Sequence, residues 1–574
     1  MRPFFLSIIA LLSWAQCEAN NRFGTPSGQC EPCVECFDDN LLTWTIYPTQ
    51  YNFVKVDSSI VYNNRHPLKI STLHDLFALH GYFFKRILLP DVFADTIQVQ
   101  VNSKSKNIGY AKLLVDRISS DEKIFFTDTM SINVNDTSWC TTSYKLPASG
   151  MKFMGLRLLI YEMNEVEKIF WLDQLTILLD GKPINEFPSP TIHPFSVSDP
   201  ESMKKLSFNK NLYDHIEELK VKKIIALGET VHGSGSINRA TSQIIKHQVL
   251  NNGCKLVLLE IPFEIMMFFN KEVQGEVICK GDSILKSSNP LFDLPILDDL
   301  IKWLTQYNKE NPDNMVTLMG TDIHPLEEEN RKLLSEYVTC LNRTINSQAL
   351  NDFSEVLSRK LDFREPNRAL AYLNERPELK EALQPTDYLM IKHNLEMSLK
   401  ATPITPARLD RRDVIMKDNA VFLIDLFAPE NETVTIWAHF GHANYTKDHS
   451  DLPHPSFGSY MKELYKDGYG CLGITIGGGG VNAVTMDITS TTVDITRANK
   501  EVAPPLQCSM EYYFNLQPEE YIYCSSDNFN DALSYIRRIG QPYSELVKKQ
   551  FMLINPKTRM DGMIFIKNSE PSKE

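Results

Sequence analysis

The hydrophobic pattern changes character once along the chain. From about residue 41 to 190 the apolar residues come in short runs, alternating with polar ones at Ile97, Val99 and Val101 and grouped at 112–115 and 154–160. A period of two marks strands with one buried face. Asn, Ser, Asp and Gly fill the gaps, and the run 171–177 is followed by Asp180-Gly181, a pair suited to a tight reversal. Many short strands separated by turn residues predict a β-sandwich of roughly jelly-roll type. Small modules of this kind often bind sugars or pack on a catalytic domain. A Pro-rich stretch at 187–200 reads as the junction. Beyond it, over 191–574, short apolar runs at 224–227, 256–259, 315–319, 434–437 and 472–476 alternate with helical stretches. That alternation predicts an α/β domain with a mainly parallel sheet flanked by helices. One of the helices is predicted over 411–427, because Met416, Ala420, Leu423 and Phe427 share a face and Asp410 and Asp413 sit near its start.

Composition narrows the function classes. The chain has 574 residues, which predicts two or three domains. Hydrophobic residues at 43% and charged residues at 23% are ordinary for a soluble globular protein. A net charge of −13 without any Lys/Arg block argues against nucleic acid and anionic membranes as partners. Arg2, an apolar core over 4–14, and small residues at Ala15 and Ala19 read as a signal peptide over 1–19. The expected location is therefore secreted or periplasmic. The apolar run is too short to span a bilayer, and no later segment approaches that length. Cys17 as a lipoprotein anchor is disfavoured by Gln16, where a small residue is normal. Residues 20–40 read as a Cys- and Pro-rich linker. Cys30, Cys33 and Cys36 lack a matching second half for a zinc site, which leaves local disulfides as the expectation. Four Asn-x-Ser/Thr triplets start at Asn135, Asn342, Asn431 and Asn444. Nothing in the pattern bears on oligomeric state.

The chemistry lies in the residues that close each apolar run. After 224–227 come Gly228-Glu229-Thr230-Val231-His232-Gly233, and after 256–259 comes Glu260. After 315–319 come Asp322 and His324, and after 434–437 come Ala438-His439-Phe440-Gly441-His442. Ligands of open parallel sheets bind at the carboxyl ends of the strands. Singly, Glu-x-x-His is often a surface pair and His-x-x-His two ordinary loop residues. Four such strand ends in order point to one site. A carboxylate three residues before an imidazole can orient the ring and raise its basicity. No G-x-S-x-G elbow is present, which disfavours a covalent serine route.

These residues resemble the erythromycin esterase family. Ile224-Ile225-Ala226-Leu227-Gly228-Glu229-Thr230-Val231-His232-Gly233-Ser234 is similar to its opening motif. Gly253-Cys254-Lys255-Leu256-Val257-Leu258-Leu259-Glu260 is similar to its second strand. Arg412-Asp413-x-x-Met416-x-x-Asn419, Ile436-Trp437-Ala438-His439-Phe440-Gly441-His442, Ser456-Phe457-Gly458-Ser459-Tyr460 and Asp561-Gly562-Met563-Ile564-Phe565-Ile566 come next, in family order. The resemblance covers about residues 190–567 and leaves the sandwich outside. It implies hydrolysis of an ester or lactone, with His232 as general base and Glu229 orienting it. His439 and His442 would stabilise an oxyanion or shuttle a proton, Glu260 would order the site, and Asp322 and Arg412 would bind substrate. No cofactor is implied. The expected substrate is a small ester, a lactone or an acylated glycan. The family includes antibiotic-resistance enzymes, but two departures count against a macrolide. Thr241 stands where the family carries an arginine, with Arg239 two residues earlier, and Phe440 stands where it often has Asn. Two rival readings use the same residues. One is a divalent metal held by Glu229, His232, Glu260 and His439 or His442. The other is a non-catalytic secreted carbohydrate- or haem-binding protein.

Overall fold

The protein is described here from a computed structural model covering residues 45–47, 52–62, 66–72, 81–134, 138–161, 169–188, 190–206, 212–276, 294–323, 327–359, 367–401, 410–429, 432–446, 455–488, 493–540, 543–545 and 547–573. The signal peptide, Cys17, the 20–40 linker, Asn135, His324 and Asn431 lie outside these residues.

The first unit is two antiparallel sheets face to face. One sheet has the order Thr45–Tyr47, Gly81–Leu88, Phe153–Tyr161, Tyr110–Ile118, Ile124–Ile132. The other runs Asn52–Val56, Leu68–Thr72, Ile169–Leu179, Thr96–Lys106, Cys140–Pro147, with Lys182–Pro183 paired to Ile169–Leu179. The strand Thr96–Lys106 buries every second residue, so Ile97, Val99 and Val101 point inward. They meet Leu113, Val115, Leu156, Leu158, Phe170 and Leu172 in one core. The alternation seen in the sequence is this inward set. Each such side chain contributes about 1.5–3 kcal/mol of burial.

The second unit is built on a nine-stranded sheet. Its order is Lys204–Leu206, Tyr521–Ser525, Gly562–Ser569, Tyr469–Ile488, Ile224–Glu229, Thr433–His439, Cys254–Pro262, Thr317–Asp322. The strands from Gly562–Ser569 to Thr317–Asp322 pair in parallel. The Lys204–Leu206 edge is antiparallel, and Val493–Glu501 folds back on the far half of Tyr469–Ile488. The five apolar runs of the sequence all fall in this parallel part. Ile224–Glu229 and Thr317–Asp322 are buried at every position, as strands covered on both faces must be.

Helices cover the sheet. Gly235–Asn251 comes after Ile224–Glu229, capped by the Ser234 hydroxyl, which accepts from the Ile237 N–H. Asp410–Phe427 buries Met416, Ala420 and Leu423, the face its spacing predicted, while Phe427 packs at the edge of the core. Asp413, at its start, is buried and does more than favour the helix dipole, since it also accepts from His442 and from the Phe457 N–H. Cys340 and Cys508 are in disulfide bonds. No helix among the described residues is long and apolar enough to cross a membrane.

Candidate active site

The sheet order decides which side chains meet. Ile224–Glu229, Thr433–His439, Cys254–Pro262 and Thr317–Asp322 are neighbours, and their carboxyl ends carry Glu229, His439, Glu260 and Asp322. Adjacent strands lie about 4.8 Å apart, so the four ends form one row. In register, Glu229 lies directly beside His439.

His232 comes one turn after Glu229. Its backbone N–H donates to the Ile539 carbonyl at 3.0 Å, which ties the turn to the segment beyond Ser534–Arg537. Gly233 then takes a φ of +77°, in the left-handed region. A Cβ there would lie 2.0 Å from the carbonyl oxygen of Asn482, so the tight reversal after His232 requires glycine.

His232 Nδ1 lies 2.5 Å from Glu229 Oε1. The carboxylate can only accept, so Nδ1 carries a ring proton, and in the neutral ring this leaves the lone pair on Nε2. Glu229 Oε2 accepts from Trp437 Nε1 at 3.0 Å, which fixes the carboxylate from its other side. The His232 ring sits against that of His439, with centroids 4.4 Å apart and 33° between planes. His439 Nδ1 accepts from the Gly441 N–H at 3.2 Å, so its ring proton is on Nε2.

Arg412 is the electropositive centre. Its guanidinium donates to Asp322 Oδ2 at 2.7 Å, to Glu260 Oε1 at 2.8 Å and to His442 Nε2 at 2.9 Å. Glu260 Oε2 accepts from the His439 N–H at 2.6 Å. Burial would raise the Glu260 pKa, but His442, Arg412, His232 and that N–H outweigh it and hold it below the usual carboxylate value. His442 Nδ1 donates to Asp413 Oδ1 at 2.8 Å, and the same oxygen accepts from the Phe457 N–H. Burial lowers the His442 pKa and Arg412 opposes its charge, yet Asp413 and Glu260 raise it overall.

The fold thus brings together Glu229, His232, Glu260, Asp322, Arg412, His439 and His442. The departures resolve differently. Phe440 is fully buried, with its ring packed where a Cβ on Gly228 would lie 2.9 Å away, so it lines the core rather than a substrate surface. Arg239 pairs with the exposed Glu570, and the cation of the cluster is Arg412 instead. Two residues beyond His442, Asn444 is buried, its side-chain amide donating to the carbonyls of Phe440 and Gly441 and so closing the short helix Phe440–Ala443.

Two participants stand in the motifs, but the sequence reading gives them no role. Trp437 is two residues before His439 on a strand, and that period places both on one face. Asp413 adjoins Arg412 at a helix start, where an acid is usually read as dipole compensation.

Among the described residues, no three His, Cys, Asp or Glu side chains are grouped as metal ligands. The donor set explains this. The Arg412 guanidinium sits among Glu260, Asp322 and Nε2 of His442, the acceptors that would otherwise hold a cation. With Arg412 in place, the acceptor set among the described residues does not fit a metal.

The erythromycin esterase family model matches residues 250–569. YbfO of Bacillus subtilis (strain 168), named as a hydrolase, is 22% identical over 63% of this chain and 87% of its own length. A solved succinoglycan biosynthesis protein is 17% identical, with a TM-score of 0.52 over 65% of this chain and 96% of that one. A mutant of the erythromycin esterase EreC in its open conformation is 13% identical, with a TM-score of 0.47 over 67% of this chain and 98% of that one.

Proposed function

This chain belongs to the erythromycin esterase family of hydrolases, and from that premise we propose that it cleaves an ester or lactone by direct attack of water. The observation that carries the reading is the Glu229–His232 pair, which leaves Nε2 of His232 as a base beside the His439 ring. In the proposed step, His232 Nε2 takes a proton from water as its oxygen bonds to the carbonyl carbon. The carbonyl π electrons move to oxygen, and the Arg412 guanidinium, 42% exposed, stabilises the oxyanion. Collapse breaks the bond to the leaving oxygen, which takes the proton back from His232. Glu260 orients Arg412 and the His439 main chain, while Asp413 fixes the His442 ring.

Export is part of the proposal. Disulfides at Cys340 and Cys508 fit an oxidising compartment, in keeping with the N-terminal pattern. The attached sandwich favours a small acylated or glycosylated substrate.

The test is a hydrolysis screen over lactones and acyl sugars with His232→Ala as control. Removal of a general base costs on the order of 100- to 10,000-fold in kcat/KM. Equal rates in wild type and variant would overturn the assignment.

A further inference from the structure

A buried carboxylate of the sandwich, Glu122, pairs with an arginine of the α/β unit. Glu122 lies in the turn between Tyr110–Ile118 and Ile124–Ile132, with φ +63° and 2% exposure. Its Oε2 pairs with Arg86 of its own unit and with Arg559 of the α/β unit, both at 3.1 Å. Its Oε1 accepts from the Asn555 N–H at 3.1 Å. Arg86 is itself held over the Phe153 ring, so Glu122 projects from a braced turn.

Arg559 carries the contact onward. Its Nη1 donates to the Tyr445 carbonyl at 3.2 Å, and its own carbonyl accepts from the Tyr445 N–H at 3.0 Å. Tyr445 is three residues beyond His442, just after the helix Phe440–Ala443. The Tyr445 hydroxyl also bonds to Asp561 and accepts from the Cys471 N–H. The main chain that carries His442 is therefore clamped on its far side by an arginine whose countercharge comes from the other unit.

We propose that Glu122 is a positioning residue for His442, acting through Arg559 and the main chain of Tyr445. Glu122 touches none of the reacting groups. Its role is to hold the Arg559 fork so that one nitrogen meets Glu122 and another the Tyr445 carbonyl, which fixes where the His442 ring meets Asp413 and Arg412. An arginine can bridge two acceptors in this way, whereas a lysine at the same position offers a single point charge. The inference rests on the reading of the cluster as the active site, but its test needs no substrate.

The experiment tracks the His442 imidazole resonances of the full chain in histidine-labelled protein, assigned with His442→Gln. Glu122→Gln, Arg559→Lys and the double variant are titrated beside wild type, with His247 and His393 as internal controls. Each single variant is expected to change the proton affinity of His442 by at least about threefold, and the double variant no more than the larger single, since coupled residues are non-additive. The control histidines should not move. If His442 titrates as in wild type in folded Arg559→Lys, while only thermal stability falls, Glu122 serves docking alone and the proposal is overturned. Arg559→Lys keeps a cation opposite Glu122, so it decides the matter even if Glu122→Gln does not fold. Absence of ester hydrolysis by wild type would sink the functional reading and leave this resonance test standing.

Discussion

Arg412 donates to Nε2 of His442 at 2.9 Å, so the imidazole is neutral in this arrangement and its proton is on Nδ1, facing Asp413. When His442 is protonated, Nε2 becomes a donor and turns from Arg412 toward Glu260 Oε1, now 3.5 Å away. The pair thus has two hydrogen-bonded forms that differ by one proton.

That pairing sets a pH window for stability. Glu260 is depressed below its ordinary value, so its contribution is present above the unfolded pKa of about 4.3 and lost as pH falls through the folded one. His442 is raised, so its contribution is present below about 6.5 and lost as pH rises through its folded pKa. The two signs leave a plateau of greatest cluster stability between about pH 4.5 and 6.5. Urea unfolding from pH 3 to 9 checks this. Glu260→Gln should flatten the acid limb and His442→Gln the alkaline one. Parallel curves for wild type and both variants would contradict the argument.

Glu229→Gln should damage catalysis through the wrong tautomer. Trp437 Nε1 can only donate, so the new amide must keep its oxygen toward Trp437 and turn its NH2 to His232 Nδ1. Nδ1 then becomes an acceptor and Nε2 takes the proton. Amide-for-acid exchange behind a catalytic histidine can cost about 10,000-fold, and a loss of at least ~100-fold in kcat/KM is expected here. Adding Trp437→Phe frees the amide to rotate and should restore part of the rate. A double variant no faster than Glu229→Gln would count against this account.

Arg412→Gln removes the shared donor from Glu260, Asp322 and His442. The guanidinium is 42% exposed, so the expected stability loss is about 1–3 kcal/mol, below that of a fully buried pair. The vacated position is ringed by two carboxylate groups and an imidazole nitrogen. Zinc should then raise the Tm of the variant and not that of wild type, as thermal shift with and without chelator will show.

Gly233→Ala combines a positive φ with a Cβ 2.0 Å from the Asn482 carbonyl oxygen. The clash involves two backbones, and a cost above about 2 kcal/mol is expected. Denaturant midpoints measure it. Gly275→Ala, where a Cβ meets nothing within 4 Å at φ +81°, serves as the reference for backbone strain alone.

The strand ends were legible in the sequence because Glu229, Glu260, Asp322 and His439 each close an apolar run, and a parallel sheet puts such residues on one edge. Arg412 was legible only through the family motif. Trp437 was hidden by its own hydrophobicity, which read as core. The backbone of Ile539 beside His232 had no local signal, since main-chain pairing leaves no trace in residue type. Glu122 was equally silent. Its partner Asn555 is 433 positions away, and a charged residue in a hairpin turn ordinarily faces water.

The buried amide of Asn444 has a consequence for how the protein can be made. Asn444-Tyr445-Thr446 is an acceptor triplet for N-linked glycan, and so is Asn342-Arg343-Thr344, whose Asn342 amide is also buried against Ser347 and Asn351. In a eukaryotic secretory pathway the chain meets the glycosylating enzyme before it folds. A sugar on Asn444 would replace one amide hydrogen and put a bulky polar group against the helix Phe440–Ala443, which bears His442. Glycosylation there and a native site exclude each other. Secretion in yeast or mammalian cells should therefore yield two populations, a folded one that escaped modification at Asn444 and a glycosylated one retained as misfolded, whereas bacterial export avoids the competition.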